Sequence, residues 1–199
     1  MLSPIAASTI VNQAFRFIEL SPVSSFSDES EEATVALEQY PEALKMALES
    51  YDWSFARTLR ILPPLVLEAP DVADPDLPHA YKLPADCVAL RHIYEGDTFA
   101  WRVDAGMIRA DRADALTIRY TRATERETDL PSLFRTLVSY QLAVLMSPRF
   151  VGSRTKQADL VSNLKDAFTA ATRADNHTAS QARTDGRSDQ GDWSHEARR

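Results

Sequence analysis

The chain has 199 residues, 44% of them hydrophobic and 26% charged, and a formal net charge of -7. That length and apolar content suit one domain with an extension and exclude wholesale disorder. The negative balance argues against a general phosphate-gripping nucleic-acid binder. Five glycines with no G-x-G-x-x-G or P-loop run argue against dinucleotide and P-loop chemistry, and a single cysteine, Cys87, excludes a disulfide scaffold or a cysteine-rich zinc site.

Ser3-Pro4 puts a capping side chain before a proline at the first helical position. Ile5, Ile10, Val11, Ala14, Phe15 and Ile18 then recur at helical spacing, which predicts a helix over residues 3–20. These opening residues carry Asn12, Gln13, Arg16 and Glu19 and lack a basic start followed by an apolar run, so no signal peptide is read and synthesis in the cytoplasm is expected. Ser21-Pro22 stops the helix, and Ser24, Ser25 and Ser27 make a loop. A second helix is expected to begin near Ser27 or Asp28, where Asp28, Glu29, Glu31 and Glu32 complement the positive end of a helix. Its stripe is Ala33, Leu37, Tyr40, Leu44, Leu48 and Tyr51; Pro41, inside it, should kink the helix or delay its start. Trp53 and Phe55 follow directly and are read as core plugs where the helix ends.

The period changes between Arg57 and Thr121. Ile61-Leu62-Pro63-Pro64 and the acidic stretch from Glu68 to Pro78 read as extended or loop structure, and Tyr81-Lys82-Leu83-Pro84 as extended, because a residue before proline avoids the helical region. Val88 to Tyr94, Thr98 to Val103, Met107 to Ala110 and Leu116 to Tyr120 are short alternating runs separated by turn residues. They predict three or four antiparallel strands in a small meander, with turns at Gly96 and Gly106 joining neighbours and Tyr94 and Trp101 sharing one sheet.

Helical patterning returns after Asp129-Leu130-Pro131, with Asp129 the expected N-cap. Apolar residues from Leu130 to Met146 cover much of the circumference, as in the buried centre of a bundle, and the helix should end before Pro148. Ser153 caps a fourth helix with the stripe Ala158, Val161, Leu164, Phe168 and Ala171. Beyond Arg173 the chain turns polar, with one aromatic and no apolar period, and cannot bury enough surface to offset its ordering entropy. The layout is therefore mainly α: a four-helix bundle with a small antiparallel β-sheet inserted at about residues 57–121, making a domain over residues 1–173, and a polar arm over residues 174–199. Tyr51, Trp53, Phe134, Leu137 and Phe168 lie on or just beyond the apolar stripes and are expected to meet in its core.

The chemistry-bearing residues form no catalytic constellation. His79, His92, His177 and His195 lack ligand spacing. Asp71, Asp74 and Asp76 miss the calcium-loop pattern and read as a solvated loop, leaving metal-dependent hydrolysis as a minor reading. Cys87 reads as a small buried apolar residue rather than a nucleophile. Arg149, Arg154 and Lys156 gather near the last helix start, as a solvated basic patch or as partners of acidic neighbours. No enzyme, cofactor or metal is expected, and no run approaches the roughly 18 apolar residues a membrane span needs.

A resemblance accompanies this layout. The acidic helix leading into Tyr51-Asp52-Trp53-Ser54-Phe55-Ala56, then Tyr81-Lys82-Leu83-Pro84-Ala85-Asp86-Cys87, then Ile118-Arg119-Tyr120 and Asp129-Leu130-Pro131-Ser132-Leu133-Phe134, with the next helix ending near Phe150-Val151-Gly152, is similar to the head–tail connector adaptors of tailed bacteriophages. The order resembles the tail tubular protein A type and the adaptors of gene-transfer-agent particles, with a shorter middle region than the larger tail tubular proteins. It spans roughly Leu2 to Ala174. The resemblance implies a helical bundle with an inserted β region and a structural virion protein at the head–tail interface. Copies would form a ring, commonly of twelve, below the portal protein, extending the DNA channel and offering a platform to the next tail component, whether stopper, nozzle or tail tube protein. Genomic DNA would pass through without sequence-specific binding, and a negative chain suits such a conduit, since basic walls would hold phosphates. The arm fits a segment that orders against the portal, with Trp193 as anchor and Arg187, Arg198 and Arg199 as pairing charges. The competing reading is a small soluble regulatory or interaction protein with no role in a virion.

Overall fold

The computed structural model describes residues 9–22, 30–66, 74–124 and 126–178. Four helices lie outside two three-stranded antiparallel sheets. The first helix, α1 (Thr9–Phe17), buries Ile10, Val11, Ala14 and Phe15. It ends in a left-handed turn at Glu19 (φ 62), where the Leu20 N–H donates to the Phe15 carbonyl at 2.8 Å and the Glu19 N–H to Arg16 at 3.3 Å, closing the last carbonyls. Ser3 and Ile5 lie outside the described residues.

Helix α2 (Glu31–Glu49) starts later than Ser27 or Asp28, because Ser30 is the cap: its hydroxyl accepts the Ala33 N–H at 3.2 Å. The helix passes through Pro41, which sits on the exposed side, where water can take the Leu37 carbonyl that loses its donor. The buried face is also rotated from the expected stripe. Ala33, Ala36, Ala43 and Ala47 lie inward with Tyr40 and Leu48, and Leu37 is 51% exposed. Small side chains let this helix approach α3 closely.

Helix α3 (Ser132–Phe150) packs against α1, α2 and α4 and is the centre of the helical layer. Asp129 is not its cap. A short 3-10 turn (Glu127–Asp129) comes first, and the helix opens at Pro131, whose carbonyl accepts the Arg135 N–H at 2.9 Å. It also continues past Pro148: the Val144 carbonyl, deprived of an amide donor there, accepts the Ser147 hydroxyl at 2.9 Å. Helix α4 (Arg154–Thr178) opens beneath Ser153, whose carbonyl accepts the Gln157 N–H at 3.1 Å, and turns Leu160, Leu164, Phe168 and Ala171 inward while Val161 stays exposed.

The β region is larger than a small insert. Strands β1 (Arg57–Leu62), β2 (His79–Lys82), β3 (Cys87–Ile93), β4 (Trp101–Asp104), β5 (Met107–Ala110) and β6 (Leu116–Arg122) form sheets of order β1-β6-β3 and β2-β5-β4. The mainly α four-helix bundle with a small β insert is therefore corrected: the fold is mixed, a helical layer beside a two-sheet sandwich. Nor is the sheet a meander. The Ala105-Gly106 turn, with φ of 45° and 79°, joins the neighbours β4 and β5 as a two-residue hairpin. The Gly96 turn instead carries the chain from β3 in one sheet to β4 in the other, so Tyr94 and Trp101 do not share a sheet: the Tyr94 N–H donates to Thr117 of β6, whereas Trp101 pairs with Ala110 of β5. Leu62, Ile93, Leu116, Ile118 and Tyr120 of one sheet close on Tyr81, Ile108 and Ala110 of the other as a second core.

Candidate functional site

The segment after α2 fastens the helical layer to the sandwich. Trp53 is 1% exposed; its indole N–H donates to the Ala47 carbonyl at 2.8 Å. Its ring meets Phe134 edge-on at 4.9 Å, Tyr51 at 5.1 Å and Phe168 at 6.3 Å. Phe134 and Leu137 are buried in the same core, and Tyr51 and Phe168 pack against it half-buried, 6.5 Å apart. The five residues expected to meet are thus placed in one cluster.

The last turn of α4 clamps this segment. Asp175, 8% exposed, accepts the Ser54 N–H at 3.1 Å and the Ser54 hydroxyl at 2.6 Å, and the Tyr51 hydroxyl donates to Asn176 at 2.8 Å. The first five residues assigned to the arm therefore belong to α4. Arg187, Trp193, Arg198 and Arg199, the expected portal-binding residues, lie outside the described residues.

Arginines complete the junction. Asp52 receives Arg57 and the nearly buried Arg119 on one oxygen, each at 3.2 Å. Arg91 of β3 reaches across to donate to the Leu48, Glu49 and Tyr51 carbonyls at 2.7–3.0 Å, closing the C-terminal end of α2. Desolvation holds its guanidinium pKa below the usual value, opposed by Asp52 and Glu49. On the far side of the helical layer, Glu127 accepts the Ile10 N–H at 3.1 Å at the start of α1, and burial followed by the Glu127 charge pushes the Tyr40 phenol up to about 12.

Several of the groups weighed for catalysis have structural partners. Asp74 accepts the Asp76 and Leu77 N–H groups at 2.9 and 3.0 Å and pairs with Arg102. Those backbone bonds, then Arg102, hold its carboxyl below the usual range. Asp71 lies outside the described residues. Burial and then Asp86 push the Cys87 thiol up, away from a thiolate. His92 stacks edge-on with Tyr94 at 4.9 Å. Arg149 pairs with Glu31 at 2.6 Å and Lys156 with Glu19 at 2.7 Å, so two of the three basic residues near α4 serve acidic neighbours. Among the described residues no group of three or more His, Cys, Asp or Glu is placed to hold a metal ion, and no helix is long and apolar enough to cross a membrane.

What the sequence reading passed over is apolar and exposed. Leu59 and Ile61 on β1 are 59% and 67% exposed, and Val66, just beyond, is 83%. On the other flank of the sandwich Trp101 and Val103 of β4 stand 42% and 46% exposed beside a groove of about 290 Å³ lined also by Leu90, Ile93 and Asp97. The alternation Leu59-Arg60-Ile61 was the available signal, hidden by the Pro63-Pro64 that follows. Scattered exposed apolar residues are ordinary on a surface; here they stand in pairs on strands at the margins of their sheets. Compared with known proteins, the chain matches no family model and no curated protein.

Proposed function

We propose that this chain is a head–tail adaptor, a structural subunit that forms a ring between a portal protein and the next tail component and extends the DNA channel. The observation that carries the reading is the order of its parts. An acidic helix leads into Tyr51-Asp52-Trp53-Ser54-Phe55-Ala56, which plugs a helical layer against an inserted β region; a central helix and a long last helix follow, and the last leads toward a polar C-terminal segment. The arrangement does mechanical work. The aromatic cluster, the Asp175 clamp and the arginine junction hold helices and sandwich in one orientation, which a ring subunit needs, while apolar strand rims remain for neighbours. The net charge of -7 supports a conduit that does not retain DNA. In this reading the protein is no enzyme, resides in the virion after synthesis in the host cytoplasm, and meets the portal through Arg187, Trp193, Arg198 and Arg199 in a ring, probed first for twelve copies. The test is binding to purified portal rings, read by sedimentation and electron microscopy, together with gene deletion. The expected results are ring-shaped density on portals, and DNA-filled heads without tails. A chain that never binds portals and is dispensable for tail attachment would instead be the soluble interaction protein.

A further inference from the structure

The inward stripe of α4 changes in size along the helix. Leu160, Leu164 and Phe168 pack into the core, and the smaller Ala171 and Ala174 follow in the last turns. These small side chains leave a groove of about 120 Å³ between themselves and Phe55, Pro131, Leu133 and Phe134. An apolar cavity of about 150 Å³ takes a benzene ring, so the groove is on the scale of one aromatic side chain. Aromatic rings already line it: Phe55 and Phe134 meet edge-on at 4.9 Å, and Phe134 meets Trp53 at the same distance. Leu133 lines it too and is 42% exposed.

Asp175 adds a polar acceptor to this lining. It takes the Ser54 N–H and hydroxyl, and a carboxylate offers about four lone-pair sites, so it has room for a further donor. A ring that carries one N–H suits such a site, because a buried indole needs a hydrogen-bond partner. The last turns of α4 are themselves a wall of the groove. From Thr178, about 4.5 Å of helical rise past Asp175, the chain runs on for 21 residues to Arg199. From Ala179 to Arg199 the one large apolar side chain is Trp193. Fifteen residues lead from Thr178 to Trp193, enough to reach about 50 Å when fully extended. A tether of that length gives its end an effective concentration on the order of millimolar at a site this near its root.

We infer that in the free subunit Trp193 seats its indole in this groove of its own chain, against Phe55, Leu133 and Phe134, with the ring N–H donated to Asp175. The adaptor reading gives Trp193 to the portal, and on that reading the seat regulates docking. One indole cannot fill both places, so portal affinity falls by the fraction of copies in which Trp193 is free. The regulation rests on the adaptor reading; the seat itself stands apart from it.

The test labels the full-length chain with 5-fluorotryptophan. Its three tryptophans give three fluorine resonances, and Trp193→Phe identifies one of them. In the parent chain the Trp193 resonance should differ from that of the free amino acid and show a small solvent-isotope shift, at every protein concentration. Leu133→Asp puts a charge in the groove at an exposed position in the first turn of α3, and Ala174→Leu fills the groove from α4, with circular dichroism as the control for folding. Each variant should move the Trp193 resonance to the free position and raise the apparent affinity for portal rings about threefold or more. A Trp193 resonance already free in the parent, or unmoved by both folded variants, overturns the seat. One that becomes shielded only as concentration rises assigns the groove to another copy's arm and overturns it equally. Trp193 freed by the variants with portal affinity unchanged keeps the seat and removes Trp193 from the portal contact. Portal binding that needs Trp193 in a chain whose Trp193 is free throughout keeps the adaptor reading without the seat.

Discussion

Trp53, Phe134 and Leu142 in the helical layer are at most 1% exposed, whereas Leu59, Ile61, Trp101 and Val103 on the sandwich keep 42–67% of their surface in water. Each region has its own core, one built on α3, the other between the sheets. The helical layer also shows exposed apolar residues, Leu37 and Val161 among them, but singly on helix surfaces. On the sandwich they stand in pairs along strands with an unpaired edge. One region buries most of its apolar side chains, and the other leaves several exposed along its strands.

The comparison can be broken hardest at Trp53. Trp53→Ala removes a fully buried ring and its bond to Ala47, and should cost about 3–5 kcal/mol. A fall in melting temperature of roughly 6–20 °C is expected for a chain of this size. An unchanged melting temperature would show that the aromatic cluster is not the helical core.

The second expected effect falls on the join. Asp52→Ala strips a carboxylate from Arg119, whose side chain is 7% exposed, and from Arg57. Breaking a buried pair costs about 3–5 kcal/mol; Asp52 retains a quarter of its exposure, so about 1–3 kcal/mol is expected. Amide exchange should locate the loss: β6 and β1 should open more than α3. Equal loosening of both regions would mean that they unfold as one unit.

A third probe acts by pH. Because the Tyr40 pKa is raised to about 12, the fold favours the neutral phenol. Its contribution is complete below about pH 10, the unfolded value, and is lost as pH rises through the folded one. Tyr81 and Tyr120 of the sandwich are shifted in the same direction, each first by burial, so both regions weaken in alkali. Tyr40→Phe should remove the helical share alone, leaving a shallower fall of melting temperature between pH 10 and 12.

These particulars also show what sequence patterning could and could not read. The Ser153 cap, the aromatic cluster and the Gly106 hairpin were legible because each rests on local chemistry. The face of α2 was not: hydropathy favours Leu37, but the close approach of two helices favours Ala36 and Ala43. Pro148 read as a stop because the pattern cannot show that Ser147 supplies a replacement donor. Strand β1 was missed since Pro63-Pro64 masks the short alternation before it, and the meander failed because β6, not β4, returns beside β3. Asp175 looked like part of a polar tail; only the fold brings Ser54 to it. Of the candidate contact surface, the residues were visible in the sequence but their exposure was not, since exposure depends on which strand lies at an edge.

The smallest expected effect sharpens the contrast most. Leu59→Ser and Ile61→Ser replace side chains that already spend most of their surface in water, so little burial is lost, and serine costs a strand position only a fraction of the roughly 1 kcal/mol span of β propensities. Their cross-strand partners are Arg119 and Thr117, and Arg119 is held from the other side by Asp52, so the β6 ladder keeps its anchor. Each substitution should change the stability of the isolated chain by no more than about 0.5 kcal/mol, as for other surface sites. The measurement is urea denaturation at a concentration where the chain is monomeric, with the midpoint moving slightly and the slope unchanged. A loss several times larger would place Leu59 and Ile61 among the residues that hold the fold, and the division between a self-sufficient helical layer and a sandwich with contact rims would fail on the β1 side.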